Sequence, residues 1–274
     1  MNKIKDFFFG KCSSYAYSIF TVLLAIIPEK CFYYGFFYVD WDNSIIVFIN
    51  RIYLFLLVFA IVTVIYKLYQ KKRNYVFIKE KTFIIQIEYG NIIKINKGKK
   101  VINFDECFTT TIGDNPCDIK RDSICGQYLS EHPDLNIQNL IKLNGIKLAK
   151  GKSFYNNQGK YELGTLIPNG NDLLMAFGKL DKNGRAFLTY KEYIKCLDKL
   201  WEQIDIYHGT QDVYVPILGA SITRFDRPLS QQELLDIMIN SYRLYPRKMN
   251  KPAKLHIVCK AREDFSLNNI FGID

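Results

Sequence analysis

Of 274 residues, 49% are hydrophobic and 15% aromatic, a composition that excludes a disordered chain and requires a packed core. The formal charge of +10 leaves three kinds of partner open (nucleic acid, an anionic membrane face or a phosphorylated small molecule), and the placement of the charges decides among them. Seven cysteines, at 12, 31, 107, 117, 125, 196 and 259, form no CxxC pair and are joined by only three histidines (His132, His208, His256), which disfavours a zinc site or a disulfide framework and points to reduced thiols in a cytosolic compartment.

In chain order, the first feature is the uncharged run Ser13 to Pro28, which with Lys11 at its edge approaches the length needed to cross a bilayer. Ile52 to Tyr66 is wholly uncharged and extends back through Ile45 to Ile49, so a second span runs from Ile45 to Leu68 with Arg51 near one end. A cleavable signal peptide is the competing reading of the first run, but no small-residue cleavage site follows it. A buried soluble hairpin would be equally hydrophobic, yet the connection shows no pattern of a second layer to cover it. Residues 1–73 are therefore expected to form a transmembrane hairpin with spans over about 11–28 and 45–68.

Three Lys against one Asp precede Ser13, and six basic residues against Glu80 lie between Lys67 and Lys81, whereas the connection carries one Lys against Glu29, Asp40 and Asp42. The positive-inside rule then puts both termini in the cytoplasm, with Tyr33, Tyr34, Tyr38 and Trp41 as an aromatic belt at the outer interface.

From residue 74 onward the periodicity changes. Strands are expected at YVFIKE (75), FIIQIE (83), NIIKI (91), KVINF (100), LGTLIP (163), DLLMAFGKL (172), DVYVPIL (212) and KLHIVC (254). A helix from Thr189 sets Tyr190, Tyr193, Ile194, Leu197, Leu200, Trp201 and Ile204 on one stripe, and another begins at Ser230. Thr189 with Glu192 and Ser230 with Glu233 make capping boxes. Strands alternating with amphipathic helices imply a partly parallel sheet covered on both faces, with ligands taken at the carboxyl ends of its strands.

Two segments after strands carry candidate chemistry. In DVYVPILGASITRF (212–225) an apolar strand runs into Gly219-Ala220-Ser221, where the lack of bulky side chains lets backbone N–H groups approach an anion; a tight turn is the plainer reading. The order Gly219-x-Ser221 lacks the final glycine of a nucleophile elbow, and no Asp and His pair is obviously placed to serve Ser221, although His256 follows. Neither GxxxxGK[ST] nor GxGxxG occurs.

After KVINF comes a long polar loop to Leu129, in which Asn103, Asp105, Asp122, Ser123, Gly126 and Gln127 could donate or accept at a strand mouth, and Gly126 could approach a second phosphate; a solvated loop is the plainer alternative. The pairs Asp105/Glu106 and Asp118/Asp122 read as solvated carboxylates whose spacing requires neither metal nor catalysis. The scattered Lys and Arg of the second half form no nucleic-acid module.

Taken together, Tyr89-Gly90-Asn91-Ile92, Val101-Ile102-Asn103, Asp122-Ser123-Ile124-Cys125-Gly126-Gln127, Gly164 to Pro168, Leu173 to Phe177 and Pro216 to Arg224 resemble a macro domain. The likeness is to the divergent macro domain of the two-span membrane effectors of bacterial Thoeris antiphage systems, and it covers about 75–274. The resemblance implies a three-layer α/β/α unit with a mixed sheet over 74–274. It also implies a homo-oligomeric protein of the bacterial inner membrane that senses an ADP-ribose derivative, a histidine conjugate, made by a TIR-domain partner. Ligand binding would then disrupt the membrane and end the infected cell.

It assigns Gly219, Ala220, Ser221, Ile222, Thr223 and Arg224 to the diphosphate, with Leu218 and Phe225 beside them in the ligand set, and Asp122, Ser123, Ile124, Cys125, Gly126 and Gln127 to the facing loop. Asn91, Ile92 and Asn103 complete the ligand set, with Asn91 where macro domains carry an adenine-binding aspartate. Ala220-Ser221 departs from the more glycine-rich loop of ordinary macro domains. No catalytic residue, metal or cofactor is expected; the alternative is a tethered hydrolase of ADP-ribose conjugates.

Overall fold

The computed structural model describes residues 11–32, 43–115, 117–220, 223–262 and 265–270, and the chain divides into two compact units, Met1–Arg73 and Asn74–Asp274. In the first unit, α1 (Lys11–Ile26) and α2 (Asn43–Lys72) run antiparallel, with a 3-10 turn at Glu29–Phe32 after the first. Tyr17 stacks on Phe55 at 5.5 Å, Phe20 meets the same ring edge-on at 5.1 Å, and Cys12 Sγ lies 3.8 Å from Thr63 Oγ1.

Among the described residues one helix, Ser44–Lys72 within α2, is long and apolar enough to cross a bilayer, while the shorter apolar helix Cys12–Ile26 is not. At 16 residues, α1 is about 24 Å long against a hydrocarbon core of about 30 Å. It stops at Ile26, short of Pro28, because proline disfavours helical backbone in the residue before it. The polar residues of α2 have partners from the turn: Asn50 Nδ2 donates to Phe32 O at 2.8 Å, and the Arg51 guanidinium lies 3.5 Å from Glu29 and over the Phe32 ring. The expected aromatic belt, Tyr33 to Trp41, lies outside the described residues.

The second unit is built on a nine-stranded mixed sheet among the described residues. Its strands are β1 (Tyr75–Lys79), β2 (Ile84–Tyr89), β3 (Lys99–Asp105), β4 (Leu166–Asn169), β5 (Asp172–Leu180), β6 (Ala186–Leu188), β7 (Val213–Pro216), β8 (Arg224–Phe225) and β9 (Leu255–Cys259). The order is β1-β2-β9-β7-β3-β5-β6-β8, with β4 on β5. From β2 to β5 all neighbours are parallel, so the carboxyl ends of β2, β9, β7, β3 and β5 share one edge.

The helices α5 (Tyr190–Tyr207) and α6 (Gln231–Leu244) cover one face, burying Leu197, Leu200, Trp201, Leu234 and Met238 against Val101, Ile87 and Ile257. Both start at the expected capping boxes, in which the Thr189 and Ser230 hydroxyls accept from the Glu192 and Glu233 N–H groups. The helices α3 (Ile124–Glu131) and α4 (Ile137–Leu143) cover the other face, over Ile102, Phe104, Leu174 and Val258. Alternation along β3, with Val101 on one side and Ile102 on the other, joins the two cores. Each large side chain removed from water contributes about 1.5–3 kcal/mol.

Two expectations are corrected. NIIKI is not a strand, because the Asn91 side chain accepts from Ile93 N–H at 3.1 Å and caps a short 3-10 helix, Ile92–Lys94. The polar stretch to Leu129 is not all loop, because the Ser123 hydroxyl accepts from Gly126 N–H at 3.0 Å and starts α3.

Candidate functional site

Where the strands' carboxyl ends converge there is a cavity of about 410 Å³. Its floor is Asn103–Asp105, Phe177–Gly178 and Pro216–Ile217; its walls are Asp118–Lys120, Ser123–Cys125, the turn Gly184–Ala186, Gly219–Ala220 and Thr223–Arg224, with Val258, Lys260 and Arg262 at the end of β9. Lys120, Arg185, Arg224, Lys260 and Arg262 supply five cations against Asp105 and Asp118, so the cavity suits an anion of several charges.

Gly219 has φ of 84°, and a Cβ there would lie 2.7 Å from the Phe225 ring, so no other residue fits the turn without strain. Among the described residues the N–H groups of Gly219 and Ala220 carry no hydrogen bond, leaving them to a ligand. Leu218 is a core residue: its carbonyl accepts from the Tyr193 hydroxyl at 3.1 Å and its N–H points at Met238 Sδ. Phe225 is a strut under Gly219, edge-on to Tyr193 at 5.4 Å. Ser221 and Ile222 lie outside the described residues. Arg224 lines the cavity, but its guanidinium pairs with Asp181 in the β5–β6 turn.

The facing segment is divided. Ser123, Ile124 and Cys125 line the cavity, and the N–H groups of Ile124 and Cys125, in the first turn of α3, are free among the described residues to meet an anion. Asp122, Gly126 and Gln127 do not line it. Gly126 is close to backbone rather than to ligand: a Cβ there would sit 2.2 Å from Lys120 O. Gln127 accepts from Asn91 Nδ2 at 3.1 Å and donates to Asp122 O at 2.8 Å. Ile92 is buried under this face of the sheet, and Asn91 lines a second cavity instead.

The acidic pair Asp105/Glu106 is not solvated. A register shift between Phe104 and Asp105 sends the two carboxylates to different places. Asp105 lines the cavity and accepts from the N–H groups of Cys107 (2.7 Å) and Thr109 and from the Thr109 hydroxyl; burial pushes its carboxyl above the usual range against these bonds. Glu106 is 2% exposed and binds Ser153 Oγ at 2.7 Å and Leu180 N–H at 3.2 Å, holding a surface loop to β5.

Burial, and then the Asp105 charge, push the Cys125 thiol well up, so it lines the cavity as a neutral thiol. Asn103 brings a buried carbonyl oxygen with no partner to the floor, an acceptor open to a ligand hydroxyl. His256 is held away from the cavity: it is 3% exposed near the start of β9, between Glu88 (2.8 Å) and Asp212 (3.3 Å), whereas the cavity lies at the strand's end. No group of three or more His, Cys, Asp or Glu side chains is placed to hold a metal among the described residues.

Sequence reasoning missed Lys120, Arg185, Lys260 and Arg262 as site residues. For Lys260 and Arg262 the rule that pointed to Gly219 would have served, since both directly follow a parallel strand.

Residues 85–260 match the profile of the family described as Thoeris protein ThsA, Macro domain. The Thoeris protein ThsA of Bacillus amyloliquefaciens (strain Y2) is 30% identical over 194 residues, covering 67% of this chain and 65% of that protein. The chain thus spans just under two thirds of the length of the curated relative it matches. Similar solved structures include the Oceanobacillus iheyensis macrodomain mutant D40A (11% identity, 70% of this chain and 93% of that chain, TM-score 0.43) and the macrodomain of Thermus aquaticus DarG (12% identity, 65% and 98%, TM-score 0.37).

Proposed function

The chain belongs to the Thoeris ThsA macro-domain family, and from that premise we propose that it is a membrane-held antiphage sensor of an ADP-ribose-type signal. The observation that carries this reading is the cationic cavity at the strands' carboxyl ends, where Gly219 and the first turn of α3 present free N–H groups from opposite walls. A diphosphate between them would meet main-chain donors and Arg224, while Asn103 Oδ1 would accept from a ribose hydroxyl. The signal is a histidine conjugate of ADP-ribose, made by a TIR-domain partner.

In this reading the α1–α2 hairpin spans the bacterial inner membrane twice with both termini in the cytoplasm, local thinning of the bilayer and the flanking residues of α1 making up the few ångströms its length lacks. Two helices cannot enclose a pore, so membrane disruption needs several copies, and the ligand must bind the active assembly better than the resting one.

A membrane-tethered hydrolase is the second reading, and the buried Asp105 carboxyl at the cavity favours it. The hydrogen bonds that Asp105 accepts from Cys107 and Thr109 favour a loop-fixing role, and so the sensor. Calorimetric titration of the detergent-solubilised chain with ADP-ribose and with its histidine conjugate, followed by chromatography, separates the readings. Saturable binding with the ligand recovered intact supports the sensor, product release supports the hydrolase, and no binding of either compound sinks both.

A further inference from the structure

A second cavity, of about 520 Å³, opens over the sheet beside the 3-10 helix and is lined by Glu88 to Asn91, Lys94 to Lys97, Tyr214 and Val258. It shares only Val258 with the first. Tyr214 is 1% exposed, and its hydroxyl is buried with no hydrogen-bond partner. Such a group is costly unless something pairs with it. Burial, then the charges of Asp212 and Glu88, push the phenol up to about 12, so it keeps its proton and donates.

The chain segment above it is pressed close. A Cβ on Gly98 would lie 2.5 Å from Asp212 O and 3.0 Å from the Tyr214 ring, and Gly98 has φ of 66°. Among the described residues the successive N–H groups of Asn96, Lys97 and Gly98 have no acceptor, and the Lys94 and Lys97 ammonium groups have no carboxylate within an ion-pair distance. Glu88, the acid that lines this cavity, is already engaged: Oε1 takes His256 Nδ1 and Oε2 takes Gln86 Nε2, each at 2.8 Å. Asp212 is engaged likewise by His256 Nε2 and Lys254 N–H. With both nearby carboxylates engaged, the charged and buried groups left without a partner here are donors: the Tyr214 phenol and the two ammonium groups, beside a run of main-chain N–H.

We propose that this cavity is a second binding site, separate from the cavity at the strand ends, for the phosphate or carboxylate group of a small anionic molecule. The anion sits against Asn96 and Lys97, takes the Tyr214 O–H from below and is flanked by the Lys94 and Lys97 ammonium groups.

Inorganic phosphate is the probe, titrated calorimetrically into the detergent-solubilised chain with and without saturating ADP-ribose. Tyr214→Phe removes the hydroxyl and leaves the ring on His256, where the centroids are 4.2 Å apart. It is expected to weaken phosphate binding about fivefold, and the double variant Lys94→Glu/Lys97→Glu about tenfold or more, neither altering ADP-ribose binding. The double variant changes two exposed side chains, so it keeps the test open if Tyr214→Phe fails to fold. Unchanged phosphate affinity in both variants overturns the proposal, as does displacement of all bound phosphate by ADP-ribose. If neither ADP-ribose nor its histidine conjugate binds, the sensor reading fails while the loss of phosphate affinity in the variants still supports this site.

Discussion

Gly126 and Gly219 look alike in the sequence, each a glycine beside small or polar residues in a segment that follows a strand, and the structure puts them to opposite uses. Gly126 sits inside α3 with the Lys120–Arg121 backbone against its Cα and its N–H spent on the Ser123 hydroxyl, so its missing side chain serves packing. Gly219 sits on a turn with positive φ, its N–H unspent and facing the cavity. Whether a glycine's N–H is already committed separates a packing glycine from a ligand-facing one. The comparison can be broken by giving each position a methyl group.

Gly126→Ala should have the larger effect on stability. An alanine inside a helix would by itself gain up to about 1 kcal/mol over glycine. Here the added Cβ would come 2.2 Å from Lys120 O and 2.9 Å from Arg121 Cα, both backbone atoms that cannot swing aside. Overpacking costs about 1–3 kcal/mol, and a clash this close to backbone belongs at the upper end, so after the propensity gain the net loss in denaturant unfolding should be about 2 kcal/mol. A stability gain would show that α3 is free to move and that Gly126 is available to a ligand after all.

At Gly219→Ala the stability loss should be smaller and the binding loss larger. Left-handed backbone costs a non-glycine residue about 1–2 kcal/mol, while the 2.7 Å contact is with the outer edge of the Phe225 ring, which can tilt. Relief of that strain moves the N–H groups of Gly219 and Ala220, so ADP-ribose affinity should fall about tenfold, equivalent to about 1.4 kcal/mol. An alanine variant that unfolds like Gly126→Ala yet binds ligand normally would erase the distinction between the two loops.

How legible each part was follows from the range of the forces that set it. Both capping boxes were readable because Thr189 with Glu192, and Ser230 with Glu233, act within one turn, and the expected strand at 172–180 coincides with β5. At Asn91 the local pattern misled, since NIIKI is rich in β-branched residues as a strand is, while the asparagine side chain caps a helical turn.

The site is a harder case. Arg185, Lys120 and Arg262 meet only because a hairpin, a loop and the end of β9 converge, and no spacing along the chain records that convergence. Adjacent Asp105 and Glu106 looked like one solvated pair, but the register shift in β3 gives one to the cavity and the other to a loop. The hydrogen bond that fixes Asn91 on Gln127 likewise joins positions 36 residues apart.

The smallest effect concerns how the Gly219 loop is held on its far side, where Arg224 pairs with Asp181 instead of facing a free cavity. Slight burial pushes the Asp181 carboxyl up, but the Arg185 N–H, the Arg224 guanidinium and the Asn183 N–H outweigh it and hold the group below its ordinary value. A carboxyl lowered in the folded state stabilises the fold above its unfolded value of about 3.9, and that stability disappears as pH falls through the lower folded value.

Asp181→Asn keeps an oxygen for the Arg185 and Asn183 N–H groups and removes only the charge. With Arg224 half exposed, the loss at pH 7 should be no more than about 0.5 kcal/mol, and wild type and variant should converge as pH falls below the lowered folded value of Asp181. The same variant releases Arg224 toward the cavity, so ADP-ribose should bind about two- to threefold more tightly at low salt, with the gain shrinking as salt is raised. Weaker binding in Asp181→Asn would mean instead that Asp181 positions Arg224 for the ligand. The far wall of the Gly219 loop would then be preformed by the β5–β6 turn, and both walls of the cavity would be fixed before the signal arrives.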